Sequence, residues 1–482
     1  MSSWRTRGWA SALLAALLVA AGCSDDGGSD DSTTTDDTST PDEPAGGNDD
    51  IGDPYAPGLG NTGYQAEHYI LDLDYDLDAD HIDGEVTMEA VAEQRLGEFS
   101  LDLDGLSVED VTVDGEGADF ERDDPKLRIE PAEPIAADDP FEVVVGYSGE
   151  PGAAESPIAP FAVGWFTYDR GSFVASEPDG AQHWFPVNDH PLDKATYTFN
   201  VTVPGDDLEV AANGALRRVD ESNNGRTFIY EMAQPMASYL ATIVVGELEE
   251  HIEGNAGNVA IRNFYPPDQA EVAQDYFDRT PEMLRYFSRV FGAYPFDEYG
   301  AVVVDTELGY ALETQTLSLF GSDIINGGRD VIAAHELAHQ WFGDSVSPGT
   351  WQDTWLNEGF ATYAEWLWLD FSRQEGFEES VTDALDQFGE GRAWDPPGIP
   401  PEDRIFNLSV YNGGALTLEA LRRTVGPQTF FEILRRYTER FEYSTATSQD
   451  FIDVAVEVSG DEDVADLLDN WLYSDVVPEL PD

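Results

Sequence analysis

From Tyr64 onward, apolar and polar residues alternate one by one. Tyr69, Leu71, Leu73, Tyr75 and Leu77 interleave with Ile70, Asp72, Asp74, Asp76 and Asp78, the period of a strand with one face in a core and one in water. Phe99-Ser-Leu101-Asp-Leu103-Asp, Val143-Val-Val145 and Tyr197-Thr-Phe199-Asn-Val201-Thr-Val203 repeat the pattern between Gly/Pro/Asp turns. An antiparallel β domain, sandwich- or saddle-like, is predicted over residues 53–250. Asp72, Asp74 and Asp76 have the spacing of a calcium loop, but no glycine stands at its sixth position and no bidentate glutamate follows in register. They are predicted to be the solvated face of a strand.

Beyond Ile261 the period lengthens towards that of a helix. Val272, Tyr276, Phe277, Met283, Leu284, Phe287 and Val290 recur at helical spacing, interrupted at Pro281. Helical patterns return at Leu416–Val425, Phe430–Tyr437, Phe451–Val458 and Val464–Trp471. The fold class is therefore α+β, with a mainly helical domain over residues 251–482. At 482 residues the chain can bury two cores.

The stretch Asp330–Trp368 adds chemistry to the pattern. His335 and His339 lie four apart, one above the other on one helix face, within reach of a single metal ion. Glu336 follows the first of them and can take a proton from a water held there. Val331, Ile332, Leu337, Trp341 and Phe342 would bury the rest of that helix, and Gly343, Ser347, Pro348 and Gly349 supply a turn. A catalytic zinc takes three protein ligands and one open position. The third is sought on the next helix, where Glu358 stands with 18 residues between it and His339. Glu365, seven residues further and on the same face, is placed to accept a hydrogen bond from a ligand histidine. His68, His81, His183, His190 and His251 lack ligand spacing, and structural hydrogen bonding is expected of His183 and His190.

His335-Glu-x-x-His339, the 18-residue spacer and Trp355-Leu-Asn-Glu358-Gly-Phe-Ala resemble the gluzincin metallopeptidases of the aminopeptidase N family. The resemblance covers most of the chain after about Gln65. It implies a thermolysin-like catalytic domain and one Zn2+ per chain on His335, His339 and Glu358. Val410-Tyr411-Asn-Gly-Gly-Ala-Leu416 is similar to the segment bearing the family's catalytic tyrosine, with glycine at 413 where lysine is commoner. Tyr411 is thereby implied to stabilise the oxyanion of the tetrahedral intermediate. Glu313, in Tyr310-Ala-Leu-Glu313-Thr314, and Glu177, in Ala175-Ser-Glu177-Pro, match the two carboxylates that hold the substrate's α-ammonium. Ala175 stands where the family has glutamine.

Composition sharpens the setting. Ninety-six acidic residues against 24 basic give a net charge of −72, and lysine occurs only at Lys126 and Lys194. Phosphate contacts need a basic face, so nucleic-acid binding is excluded. That much like charge calls for screening, which points either to a salt-rich environment or to a moderately saline one plus an acidic tail. Arg5 and Arg7 precede an apolar run, Ala10–Ala21, that ends at Gly22-Cys23. Residues 1–23 have the form of a lipoprotein signal, with plain secretion as the alternative. Residues 24–52, rich in Asp, Ser, Thr and Gly, form the expected flexible linker.

The expected protein is a monomeric zinc aminopeptidase acting on peptides, with Glu336 as general base. It would be exported and held at the outer face of a bacterial membrane by a lipid on Cys23. Many relatives carry a further helical domain, for which about 70 residues after Tyr411 leave no room. An open cleft follows, and with it a rival reading as an endopeptidase. A non-catalytic surface lipoprotein is the reading from another class.

Overall fold

The computed structural model describes residues 46–223, 225–389 and 394–482. The signal segment, Cys23 and the linker up to residue 45 lie outside them. Alternation along Tyr64–Asp76 is realised as expected: Tyr69, Leu71, Leu73 and Tyr75 are buried while Asp72, Asp74 and Asp76 face solvent. Asp72 accepts a hydrogen bond from Asn200 Nδ2 at 2.8 Å, so the aspartates decorate a strand.

That strand lies inside an eight-stranded sheet. The spatial order is Ala215–Ser222, Gly225–Met236, Ala195–Val203, Tyr64–Asp76, His81–Ala92, Pro140–Gly149, Ser107–Val113 and Glu116–Gly117. One junction departs from the antiparallel expectation: Tyr64–Asp76 and Ala195–Val203 run parallel, pairing Tyr69 with Tyr197 and Leu71 with Phe199. The chain between them crosses other sheets before returning, and a crossover of that length can bring a strand back in its original direction. Stacked Tyr69 and Tyr197 rings, 5.3 Å apart, fill the junction. A second sheet of five strands contains Ala162–Tyr168, Gly171–Ala175 and Ile243–Gly246, and delivers the chain to Glu177.

The linker expectation needs correcting at its end. Residues 46–52 are laid against the β region: Gly47 N bonds Glu98 O, and Asp49 pairs with Arg128 at 2.6 Å. Their composition predicts a flexible segment, but the β region supplies hydrogen-bond and charge partners that offset the entropy of ordering them. Just beyond, Asp53 is buried, accepts Trp351 N at 2.7 Å and faces His190 Nε2 at 3.2 Å, while Tyr55 Oη donates to Pro400 O. The strap thus fastens the β region to the chain entering helix Trp355–Ser372.

From Glu249 the chain builds another five-stranded sheet, ordered Glu249–Ala256, Val259–Tyr265, Glu298–Val304, Leu317–Gly321, Ala311–Leu312. Helices Ala270–Phe277 and Thr280–Val290 follow the expected period, with Pro281 in the first turn of the second, where its missing N–H costs nothing. Helices Gly414–Val425, Pro427–Arg440, Ser448–Ser459 and Asp463–Tyr473 complete the layer behind the site. The described residues belong to one compact unit. No described helix is long and apolar enough to cross a membrane.

Both lysines serve this architecture. Lys126 makes a buried pair with Asp102 at 2.5 Å. Lys194 reaches from the β region to Asp344 O and Ser345 O, at 2.7 and 3.0 Å, in the turn after helix Val331–His339.

Candidate metal centre

The first metal helix spans Val331–His339 and buries Ala333, Ala334, Leu337 and Ala338. Its small residues let it lie close to the long helix Trp355–Ser372, in the same core. Gly343, at φ 125°, turns the chain out of the first helix. A side chain there would press on Asn357 at 3.3 Å and on His339 Nδ1 at 3.4 Å.

His335 Nε2 lies 3.2 Å, and His339 Nε2 3.5 Å, from Glu358 Oε2. The other ring nitrogens are engaged: His335 Nδ1 with Glu365 Oε1 at 2.6 Å, His339 Nδ1 with Phe342 O at 3.0 Å. A carbonyl only accepts, so Nδ1 of His339 carries the proton and Nε2 presents its lone pair; the Glu365 carboxylate orients His335 in the same way. Two ring nitrogens and a carboxylate oxygen then converge, an arrangement that draws a cation, proton or metal, among them. A tetrahedral zinc with bonds of about 2.0–2.1 Å sets its donor atoms roughly 3.3 Å apart. The donor set fits zinc in chemistry and in spacing.

The other expected residues converge here. Glu336, Glu313 and His339 form one cluster with donor atoms within 4.8 Å, and Glu177, Glu313 and Glu358 form another. Tyr411 lies on a wide helical turn, Ser409–Gly413, with its ring 6.1 Å from that of His335. All of them, together with Glu365, line one cavity of about 300 Å³. The five histidines set aside are elsewhere: His68 bonds Thr196 and Thr198, and His183 sits 3.4 Å from Asp104.

Electrostatics divides the carboxyls. Burial pushes Glu358 up, but His339 and His335 outweigh it and hold the group at about 2. Burial raises Glu177 well above the usual carboxylate range, and Glu313, Glu358 and Glu336 raise it further. Glu313 is raised by burial, with His339 opposing and Glu358 adding. Glu336 is pushed up to about 8 by burial, against the pull of His335 and His339. His335 is raised despite burial because Glu358 and Glu365 favour its cationic form. The same field that draws a proton draws a divalent metal. No lysine or arginine lines the cavity among the described residues. Glu177 Oε1 and Glu313 Oε1 have no hydrogen-bond partner.

Sequence reasoning missed the residues that hold these groups. Gln340 donates to Glu313 O at 2.9 Å and accepts Thr316 N at 2.8 Å, tying the Glu313 segment to the residue after His339. Gly359 and Gly414 let the second metal helix touch the helix after Tyr411, since a Cβ on Gly359 would come within 2.8 Å of Gly414 Cα. Tyr239 Oη donates to Gly343 O at 3.0 Å, bracing the turn from the β side. Only the glycines beside Glu358 and Tyr411 left a trace along the chain.

A buried His/His/Glu centre with an adjoining carboxylate, between a β-rich region and a sheet-and-helix region, defines a metal-dependent hydrolase site. Residues 65–240 match the Peptidase M1 N-terminal domain, and residues 276–471 match the Peptidase family M1 domain. The M1 zinc metallopeptidase of Deinococcus radiodurans is 31% identical, with a TM-score of 0.82 over 90% of this chain and 99% of that one. A mutant of that enzyme bound to a Tyr-Ser-Ala substrate superposes equally well, at 30% identity with a TM-score of 0.82 over 90% and 99% of the two chains. Mitochondrial aminopeptidase 2 of Saccharomyces cerevisiae is 28% identical over 61% of this chain, which spans only 33% of that protein. The chain belongs to the M1 family of zinc metallopeptidases. Its cofactor is zinc, and His335, His339 and Glu358 are the residues that would hold it.

Proposed function

We propose that the chain is a zinc aminopeptidase that removes N-terminal residues from peptides. The observation that carries this reading is the pair of buried carboxylates Glu177 and Glu313, each with an oxygen that lacks a hydrogen-bond partner, in the cavity of the metal ligands. Buried acceptors left unsatisfied are costly, and a peptide's α-ammonium satisfies both. An endopeptidase would have no use for them. The Tyr-Ser-Ala substrate held by the Deinococcus radiodurans relative is of the chemical class expected.

Zinc, when bound, supplies a Lewis acid that acidifies water and polarises the scissile carbonyl. The remaining work falls to side chains. Glu313 and Glu177 bind the ammonium and thereby set which carbonyl lies beside the metal ligands. Glu336 takes the proton of the attacking water and returns it to the leaving nitrogen. Tyr411 donates its hydroxyl to the developing oxyanion; burial, with the carboxylates Glu358 and Glu177 around it, holds that hydroxyl protonated. Glu365 keeps the His335 ring turned with Nε2 inward.

The test compares a peptide with its N-acetylated form in zinc-loaded enzyme. Hydrolysis of the free-amine peptide alone, lost to a chelator and restored by zinc, is expected. Equal cleavage of both forms would replace this reading with an endopeptidase. No turnover of either would leave a binding protein.

For its setting we propose a monomer exported and anchored through a lipid on Cys23, supported by Arg5, Arg7 and the apolar run before the cysteine. Palmitate should label the wild type and not Cys23→Ser. Equal labelling of both would leave secretion or another attachment.

A further inference from the structure

A second cleft, of about 340 Å³, lies where the strap meets the β region and the segment around Glu402. It shares no lining residue with the metal cavity. Its apolar walls are Tyr55, Pro57, Leu59, Pro125 and Ile158. Asp179 and Gln182 are buried in it, at 5% and 6% exposure, whereas Glu402 and Asp403 stand exposed at its rim. Asp179 Oδ1 and Gln182 Oε1 have no hydrogen-bond partner. The Gln182 amide nitrogen is already used, donating to Asp179 O at 2.8 Å, so its free group is an acceptor. Burial pushes the Asp179 carboxyl up to about 6, with the Ser156 hydroxyl opposing. No lysine or arginine lines the cleft among the described residues; Arg404, 3.7 Å from Asp403, is not part of the lining.

We propose that this cleft is a second ligand site and that it takes a linear aliphatic diamine. One ammonium donates to Asp179 Oδ1 and Gln182 Oε1, the methylene chain lies on the apolar walls, and the other ammonium meets Glu402 and Asp403. Buried acceptors without donors are costly, and an ammonium brings several donors together with a charge. An anion would meet the carboxylates of Asp179, Glu402 and Asp403 and no cation in the lining. A bare metal ion fits less well. Among the described residues, the groups of His, Asp and Glu close enough to share one include none of these three carboxylates. The walls between buried and exposed acids are apolar, and methylene groups laid on them leave water favourably. The proposal stands on this cleft alone and does not depend on the peptidase reading.

The test is calorimetry of cadaverine, pentylamine and pentanol on the zinc-loaded protein at mildly alkaline pH, where Asp179 is ionised and both amines are charged. Both amines should bind saturably, cadaverine about two- to fivefold tighter because its second ammonium meets exposed carboxylates. Pentanol lacks the charge and should bind about tenfold more weakly than pentylamine, or worse. Asp179→Asn should weaken both amines by about tenfold or more, while Glu313→Gln should leave them bound. Zinc content and melting temperature establish that Asp179→Asn folds. If it does not, the exposed pair decides: Glu402→Gln combined with Asp403→Asn should erase the advantage of cadaverine and leave pentylamine unchanged. Absence of saturable binding by either amine overturns the proposal and leaves the cleft to water. Binding that Asp179→Asn spares and Glu313→Gln abolishes overturns it by placing the amine in the metal cavity. Equal affinity for cadaverine and pentylamine overturns it for diamines.

Discussion

Glu358 and Glu177 line the same cavity and are almost equally hidden, at 3% and 5% exposure, yet their carboxyls are pushed in opposite directions. At the metal end, Glu358 faces two imidazoles on the neighbouring helix, and their attraction outweighs the cost of burial. At the other end, Glu177 faces the carboxylates of Glu313, Glu358 and Glu336, which add to the effect of its burial, while at Glu313 the pull of His339 only partly offsets burial. The difference shows what each end awaits. The metal end has its donors arranged and oriented by Glu365 and Phe342 O. At the other end Glu177 Oε1 and Glu313 Oε1 have no hydrogen-bond partner, as the proposed binding of a substrate ammonium requires.

The largest effect should come from breaking the metal end itself. Glu358→Ala should lower zinc from about one ion per chain to roughly a tenth of that, and activity with it. Full zinc occupancy in this variant, measured by metal analysis, would show that Glu358 is not a ligand. Glu336→Gln should retain zinc and lose roughly 10²–10⁴-fold in kcat, because only the proton carrier is removed. Near-normal turnover in metal-replete protein would take Glu336 out of the chemistry.

The amine end should respond differently. Glu313→Gln and Glu177→Gln should keep zinc and lose about 10–100-fold in kcat/KM on free-amine peptides, the worth of a charge-assisted hydrogen bond. Their discrimination against N-acetylated peptides should narrow by the same factor; a loss shared equally by both substrates would point to general damage. Glu365→Gln should weaken zinc affinity by about tenfold, read by competition with a chelator, without altering that discrimination.

The smallest effect is in the pH profile. Glu177 must be ionised to hold an ammonium, and its carboxyl lies above the ordinary 4.5 of a glutamate. As pH falls, it is protonated earlier than an exposed carboxylate, so kcat/KM should decline on an acid limb above pH 4.5. Glu177→Gln should move that limb to lower pH. An unmoved limb would assign it to another group.

The metal end was legible because its parts are close along the chain. His335 and His339 share a helix face by helical periodicity alone, and Glu358 and Glu365 share another, so only the meeting of two adjacent helices had to be inferred. The amine end was legible only through family resemblance. Glu177 and Glu313 follow the ends of strands in separate sheets, Gly171–Ala175 and Ala311–Leu312, and no local period relates them. Burial of carboxyls also runs against what so acidic a chain suggests for any single glutamate. Residues 46–52 were misread for a related reason: the partners that order them, Glu98 and Arg128, are remote in sequence.

The sequence by itself determined the strands with one wet face, the helices of the second region, and the gathering of His335, Glu336, His339, Glu358 and Glu365 on two helices. These depend on spacings of a few residues, which backbone geometry converts directly into shared faces. Tertiary structure alone decided the parallel junction of the large sheet, the strap through Asp53, the support of Glu313 by Gln340 and the cleft that brings Tyr55, Asp179 and Glu402 together. Each of these joins segments far apart along the chain, and such contacts are set by how whole layers pack, which no short spacing records.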